Sequence, residues 1–410
     1  MNSWSKRNSN IDYLRAFLMI LVVLHHSMLA YVSYGNSVLI NDSQNFAGFE
    51  WIALYNDNFF MFLFFFVSGL FSLNSLSSKG IIKFLNDRFI RLMLPFAVGT
   101  LLINPLGHYL GYIYYVEQPF SFADLILFVK ATFGETGANH LWFLWVLFVF
   151  SVILAVIYKI MISEFDKNES GTNQSHISYS KFIIVMIILG SLTFIPIAHI
   201  GNSGFVMLLK PFQLQISRVF LYFLFFISGS LIGYKDLKGS FLFHPSFMKK
   251  WWMFIVISVA ALVLHKNLLN YVYSGSEINS MTAQVSIFLL KFLPVVISIF
   301  ASLGFLGLFN GYINNENKLF TLFARAAMGI YVIHYTVVTV YQYIFTTVDI
   351  SGLAKGIAVW LLSLLTSLAL VLIFKKVPFL RIVFGEKYSE KYSILLCGTT
   401  IIMTIVLVIA

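Results

Sequence analysis

One cysteine, Cys397, stands in the whole 410-residue chain, which excludes an internal disulfide and a cysteine-rich metal site. Charge is scarce as well. Asp, Glu, Lys and Arg make up 11% of the residues, against about 25% in an ordinary soluble domain. Three chemical signatures are also missing: a phosphate-cradling glycine loop, a metal-ligand spacing such as H-x-x-x-H, and a G-x-S-x-G elbow. The chain therefore gives no reason to expect P-loop chemistry, a metal centre or a serine nucleophile. The net charge is +10, but no solvated basic face accompanies it, so nucleic acid is not an expected partner. In a chain this apolar, a basic balance reports topology and contact with membrane lipids first.

What is abundant is hydrophobic sequence, 59% of the residues. The expected fold class is all-α, a polytopic transmembrane bundle of about 10–11 helices. Eleven runs approach the ~20 residues that a bilayer crossing needs. They cover about 12–34, 53–74, 90–112, 141–162, 181–199, 216–234, 251–269, 284–309, 320–343, 354–374 and 392–410. With these spans, 21 of the 27 Lys and Arg fall on one side. The exceptions are Lys130, Lys210, Arg218, Lys266, Lys291 and Lys355. Such an asymmetry predicts a cytoplasmic N-terminus and a cell-membrane location, read as the bacterial cytoplasmic membrane. The basic N-terminal arm before a long apolar run without a small-x-small site reads as the lead into a retained helix, not a signal peptide. One domain is expected over 1–410, with a core near 10–375 and an added helix near 392–410. Residues 163–181 read as a flexible cytoplasmic loop.

The densest cluster of chemistry is DYLRAFLMILVVLHHSMLAY, Asp12 to Tyr31. Arg15 and His26 are 11 residues apart, about three helical turns and about 16 Å of rise, so they share one stripe. His25 falls about 80° off that stripe, given 100° per residue. Alone, Arg15 reads as a snorkelling anchor and His26 as a packing group. As an aligned pair inside a bilayer helix they read as functional. In KFLNDRFIRLMLPF, Arg88 and Arg91 share a helix face at the depth where Arg15 enters. Three guanidinium groups at one level suit phosphates, although lipid anchoring explains R-x-x-R equally. His140, Trp142 and Trp145 open the fourth helix at expected headgroup depth, where tryptophan is mostly an anchor. His140 reads equally as lining a substrate vestibule. His334, in MGIYVIHYTVV, reads first as a packing group and second as a vestibule residue. FLFFFVSGLF and LFFISGSLIG echo one another at Ser68-Gly69 and Ser228-Gly229, which predicts close helix packing.

The order and spacing of Arg15-x10-His26, FFFVSGLF, DRFIRLMLPF, HLWFLWVL and GIYVIHYTVV resemble the acyltransferase-3 family of integral membrane acyltransferases. The resemblance runs from the first helix to the ninth. It implies transfer of an acyl group, acetyl or succinyl, from cytoplasmic acyl-CoA to a hydroxyl of an extracytoplasmic glycan or lipid. It further implies that His26 is the catalytic histidine, that Arg15 is its paired arginine, and that Arg88 and Arg91 are the R-x-x-R at the CoA phosphates. Acyl-CoA is a co-substrate, and no tightly bound cofactor or metal is expected. A transporter or flippase of a glycan or lipid precursor is the competing reading. Clustering of charge at one boundary, away from the midplane, argues against it. Oligomeric state is not legible in the sequence.

Overall fold

A bilayer offers the backbone no hydrogen-bond partner, so apolar runs of this length satisfy their peptide groups internally, as helices. The computed structural model describes residues 9–33, 39–132, 137–167, 178–200, 204–234, 236–274, 281–313, 317–386, 388–389 and 392–409. In chain order these form α1 (Ser9–Met28), α2 (Ala47–Asp57), α3 (Phe60–Gly69), α4 (Ser72–Lys79), α5 (Ile81–Val98), α6 (Asn104–Tyr115), α7 (Phe122–Ala131), α8 (Trp142–Lys167) and α9 (Tyr179–Ile200). A hairpin of β1 (Val206–Leu209) and β2 (Phe212–Leu214) follows. Then come α10 (Ile216–Gly233), α11 (Pro245–Met248), α12 (Trp251–Tyr273), α13 (Met281–Tyr312), α14 (Lys318–Phe345), α15 (Gly352–Phe374), α16 (Pro378–Val383) and α17 (Ser393–Ile409).

Among the described residues, ten helical stretches are long and apolar enough to cross a membrane. They coincide with the first ten expected spans. The expected eleventh is α17, 17 residues long, or about 25 Å, short of the ~30 Å hydrocarbon core. It packs along α5, where Asn86 donates to Ser393 Oγ at 2.8 Å. Two short elements escaped the sequence reading. Helix α7 buries no residue fully, and the hairpin is too short to show a period. Most of the 163–181 loop, with Lys6, Arg7, Lys235, Lys387 and Lys391, lies outside the described residues.

The spans that hold α1, α3, α5, α8, α13 and α14 are the most buried and form the centre of the bundle. The second span is broken into α2, α3 and α4, and the third bends through a wide turn at Gly99–Ile103. Pro95 and Pro105 flank that turn, and proline removes backbone donors where the ladder must open. Thr336 donates to the Ile103 carbonyl at 3.1 Å, satisfying one freed group.

The echoed Ser-Gly pairs meet, as small-residue packing predicts. A Cβ on Gly69 would lie 2.1 Å from the Phe226 carbonyl oxygen, and one on Gly229 would lie 2.1 Å from that of Phe66. The two glycines thus let α3 and α10 touch backbone to backbone. Minority cations find local partners as well. Lys355 pairs with Asp42 at 2.7 Å, Lys266 with Glu50 at 3.0 Å, and Arg218 donates to the Asp57 carbonyl at 2.6 Å.

Candidate active site

Helix α1 carries the site. Arg15, Met19, Val22, His26 and Leu29 repeat every three or four residues, so they form one stripe. That stripe lines two cavities in turn. Arg15 and Met19 line the first, while Val22, His26 and Leu29 line the second. Its far end is held by Gln342 of α14, a buried amide that donates to the His26 carbonyl at 2.9 Å.

The first cavity, the arginine chamber, has a volume of about 400 Å³. That lies within the range of small-molecule and cofactor sites. Arg15, Arg88, Arg91 and Lys79 line it against one carboxylate, Asp87. Lys79 pairs with Asp87 at 2.5 Å. Arg88 donates to Ser72 Oγ at 2.8 Å and lies over the Phe84 ring. Arg15 sits 3.6 Å from Asp12 and 5.2 Å above the Phe71 ring centre. The Arg91 Nε is buried with no hydrogen-bond partner among the described residues, and a buried donor of that kind is costly unless something accepts from it. Arg15, Arg88 and Arg91 thus meet at one level, where their positions in the sequence place them. The closing strap has no signature in the sequence: Gly385 lines the chamber, and Tyr388 donates to Asp87 at 3.0 Å. Burial and the neighbouring carboxylate push the Tyr388 hydroxyl up to about 12, so it stays a donor at any physiological pH.

The second cavity, the histidine chamber, has a volume of about 550 Å³. His25, His26, His140 and Trp142 all line it. His25 corrects the helical-wheel reading: it shares the chamber, stands edge-on to His26 and lies 3.5 Å from the Asp57 carboxylate. The broken second span brings Asp57 under it. His140 is held by a tight turn. Tyr331 donates to its carbonyl, Gln213 donates to the Asn139 carbonyl at 3.1 Å, and Asn104 donates to that of Ala138 at 3.2 Å. Trp142 and Trp145 are not lipid-facing anchors. Trp142 is buried between Tyr222 and Phe205, and Trp145 Nε1 donates to Gln213 in the hairpin, whose neighbour Phe205 helps roof the chamber. The hairpin fills the position where lipid was expected.

His334 is fully buried and stands behind His26, outside the chamber lining. Its position fixes a tautomer. His334 Nδ1 faces only carbonyls, Tyr331 at 2.9 Å and Ile330 at 3.1 Å, so it carries the proton and leaves Nε2 as an acceptor. His26 Nδ1 lies 3.2 Å from that Nε2 and 2.9 Å from the Val22 carbonyl. Facing two acceptors, His26 Nδ1 must hold a proton. The bare nitrogen of His26 is therefore Nε2, on a residue that lines the chamber. A histidine with its Nδ1–H anchored and its Nε2 free has the arrangement of a general base. The signal missed in GIYVIHYTVV is its three- and four-residue spacing, which sets Tyr331, His334 and Tyr335 near one face of α14.

Many apolar spans around a basic chamber and a histidine chamber define a multi-pass membrane enzyme. Residues 8–376 match the acyltransferase domain family known as acyltransferase-3, and the chain belongs to it. It is similar to glucans biosynthesis protein C of Escherichia coli K12, 26% identical over 397 residues, covering 93% of this chain and 95% of the relative. It is similar to the protein of that name from Shigella boydii serotype 4, 25% identical with the same coverage. The E. coli O157:H7 protein is 25% identical over 400 residues, covering 93% and 95%. No solved structure matches the chain.

Proposed function

We propose that this membrane acyltransferase takes an acyl group, acetyl or succinyl, from cytoplasmic acyl-CoA and places it on a hydroxyl of an extracytoplasmic glycan or glycolipid. The observation that carries the reading is the single stripe of α1, with arginine at one end and a free histidine nitrogen at the other. The arginines hold the anionic head of CoA by paired, charge-assisted hydrogen bonds. The pantetheine arm runs along the stripe, whose ~16 Å from Arg15 to His26 suits a long thin group. The acceptor occupies the histidine chamber, where aromatic rings and the amides of Asn139, Gln213 and Gln215 suit a polyhydroxylated ligand. That the relatives are named for glucan biosynthesis favours a glycan.

In the transfer step His26 Nε2 takes the proton of the acceptor hydroxyl as its oxygen attacks the thioester carbonyl. The new C–O bond forms and the C–S bond breaks. The departing thiolate leaves as free CoA after taking a proton from the imidazolium. His334 Nε2 accepts the Nδ1–H of His26 throughout and so stabilises the charged ring. His140, Trp142 and the other chamber residues shape the acceptor site. The placement of basic residues supports the cell membrane as the location, with the arginine chamber facing the cytoplasm.

The test is release of CoA thiol by the detergent-solubilised chain supplied with acetyl-CoA or succinyl-CoA and a short gluco-oligosaccharide. Thiol release that depends on His26, with acyl ester appearing on the sugar, is the expected result. Release unchanged in His26→Ala refutes the assignment of the base.

A further inference from the structure

The two chambers share two lining residues, Met61 of α3 and Tyr331 of α14. On α1 the change from one chamber to the other falls between Met19 and Val22, at the same level. On α8 it falls between Trp142 and Phe143, and Phe143 packs edge-on against Tyr331 at 6.1 Å between ring centres. The chambers therefore meet end to end at one constriction. Its two halves differ in kind. Tyr331 is nearly buried and pinned: its hydroxyl donates to the His140 carbonyl and its ring stands 5.2 Å from that of His140. Met61 has no polar anchor among the described residues. Its side chain is unbranched, with three rotatable bonds and a soft thioether, the type that shifts most easily among packed neighbours. Met19 and Met328, side chains of the same kind, also line the arginine chamber.

We infer that Met61 and Tyr331 form the partition through which the acyl-bearing end of the donor passes, with Met61 the movable half. The inference rests on the acyl-transfer reading and adds to it. An acyl group crosses only if it fits beside the Tyr331 ring when the Met61 side chain turns aside. The residue at position 61 therefore sets the longest acyl group transferred. The pinned Tyr331 keeps the opening from moving the histidines: its carbonyl also accepts from His140 Nε2 at 2.7 Å and from His334 Nδ1. A rigid wall on the histidine side and a soft one opposite let the path open while the base stays in place.

The test uses the full chain with acetyl-, butyryl-, hexanoyl- and octanoyl-CoA, reading thiol release with a gluco-oligosaccharide acceptor. Met61→Ala should raise the hexanoyl-to-acetyl rate ratio by at least about tenfold, since one methylene in a tight site is worth ten- to two-hundredfold. Met61→Phe should lose turnover with every donor while CoA still raises its melting temperature as in the parent chain. An unchanged acyl-length profile in Met61→Ala, or full turnover in Met61→Phe, overturns the inference. A second measurement needs no acyl transfer. With Cys397→Ser as background, Leu29→Cys places a thiol in the histidine chamber. In sealed vesicles, a small membrane-impermeant thiol reagent supplied to the arginine-chamber face should reach it in Met61→Ala and not in Met61→Phe. Equal labelling of the two overturns the partition even if no acyl-CoA is consumed by any form. Loss of acyl-CoA consumption in the parent chain, with unequal labelling, overturns the acyl-transfer reading alone.

Discussion

A histidine ring has two nitrogens, and the neighbours of one decide what the other can do. His334 forces the proton of His26 onto Nδ1, leaving Nε2 bare toward the chamber. Loss of the proposed base should lower kcat by about 10²–10⁴, the usual worth of general acid–base catalysis. His26→Ala should therefore show this drop with KM for acyl-CoA nearly unchanged, measured as steady-state thiol release. The parent rate should fall at low pH, because the neutral ring is the active form, and that dependence should vanish from the residual activity of His26→Ala. His334→Phe removes an acceptor, not the base. It should reduce kcat, displace the midpoint of the pH profile and leave KM for acyl-CoA unchanged; a purely structural role would leave the midpoint in place. At the other end of the stripe, Arg88→Ala with Arg91→Ala should raise KM for acyl-CoA by about ten- to a hundredfold for each phosphate hydrogen bond removed, because hydrogen bonds to charged groups contribute about 1.5–3 kcal/mol each. High salt should shrink that difference. Unchanged CoA binding by calorimetry would return these arginines to lipid anchoring.

At the scale of elements, the contact between α3 and α10 has the least room for error. Gly69 and Gly229 each face a carbonyl oxygen of the other helix at a distance no Cβ tolerates. Gly229→Val should separate the helices and destabilise the chain by about 2–3 kcal/mol or more, the upper range for overpacking, read as a lower melting temperature in detergent. A melting temperature within one degree of the parent would mean that the helices meet elsewhere. This contact was legible in the sequence because Ser68-Gly69 and Ser228-Gly229 stand in matching aromatic runs. The first ten spans were legible for a similar reason, since each is a continuous apolar run. The break between α2, α3 and α4 was not. Its consequence is local: it turns Asp57 toward His25 and Arg218, and no periodicity carries that information. The hairpin was equally invisible. Seven strand residues between two apolar helices look like any connection, yet they bury Trp145 and cover the chamber. The aligned pair Arg15 and His26 was legible from spacing alone, whereas the partner His334 depended on which face of α14 meets α1.

The whole molecule is organised by charge placed at two levels. One end of the bundle gathers Lys79, Arg88, Arg91, Lys318, Lys375 and Arg381, in line with the positive-inside rule. At the other end, three of the six exceptions to that rule have local partners on acidic residues: Lys355 pairs with Asp42, Lys266 pairs with Glu50, and Arg218 donates to the backbone carbonyl of Asp57. A cation with a local partner adds little to the orienting asymmetry, so these exceptions weaken it less than their number suggests. The arginine chamber should therefore face the cytoplasm, where acyl-CoA is made available, and the histidine chamber should face outward. Two exposed positions at opposite ends test this. Ser78 lies in the last turn of α4 beside the arginine chamber, and Asp349 lies between α14 and α15 at the histidine end. With Cys397→Ser as background, Ser78→Cys should react with an impermeant thiol reagent only in inverted membrane vesicles, and Asp349→Cys only in intact cells. The opposite pattern would turn the molecule over. Acyl-CoA would then have to reach the arginines from outside, and the proposed direction of transfer would fail with it.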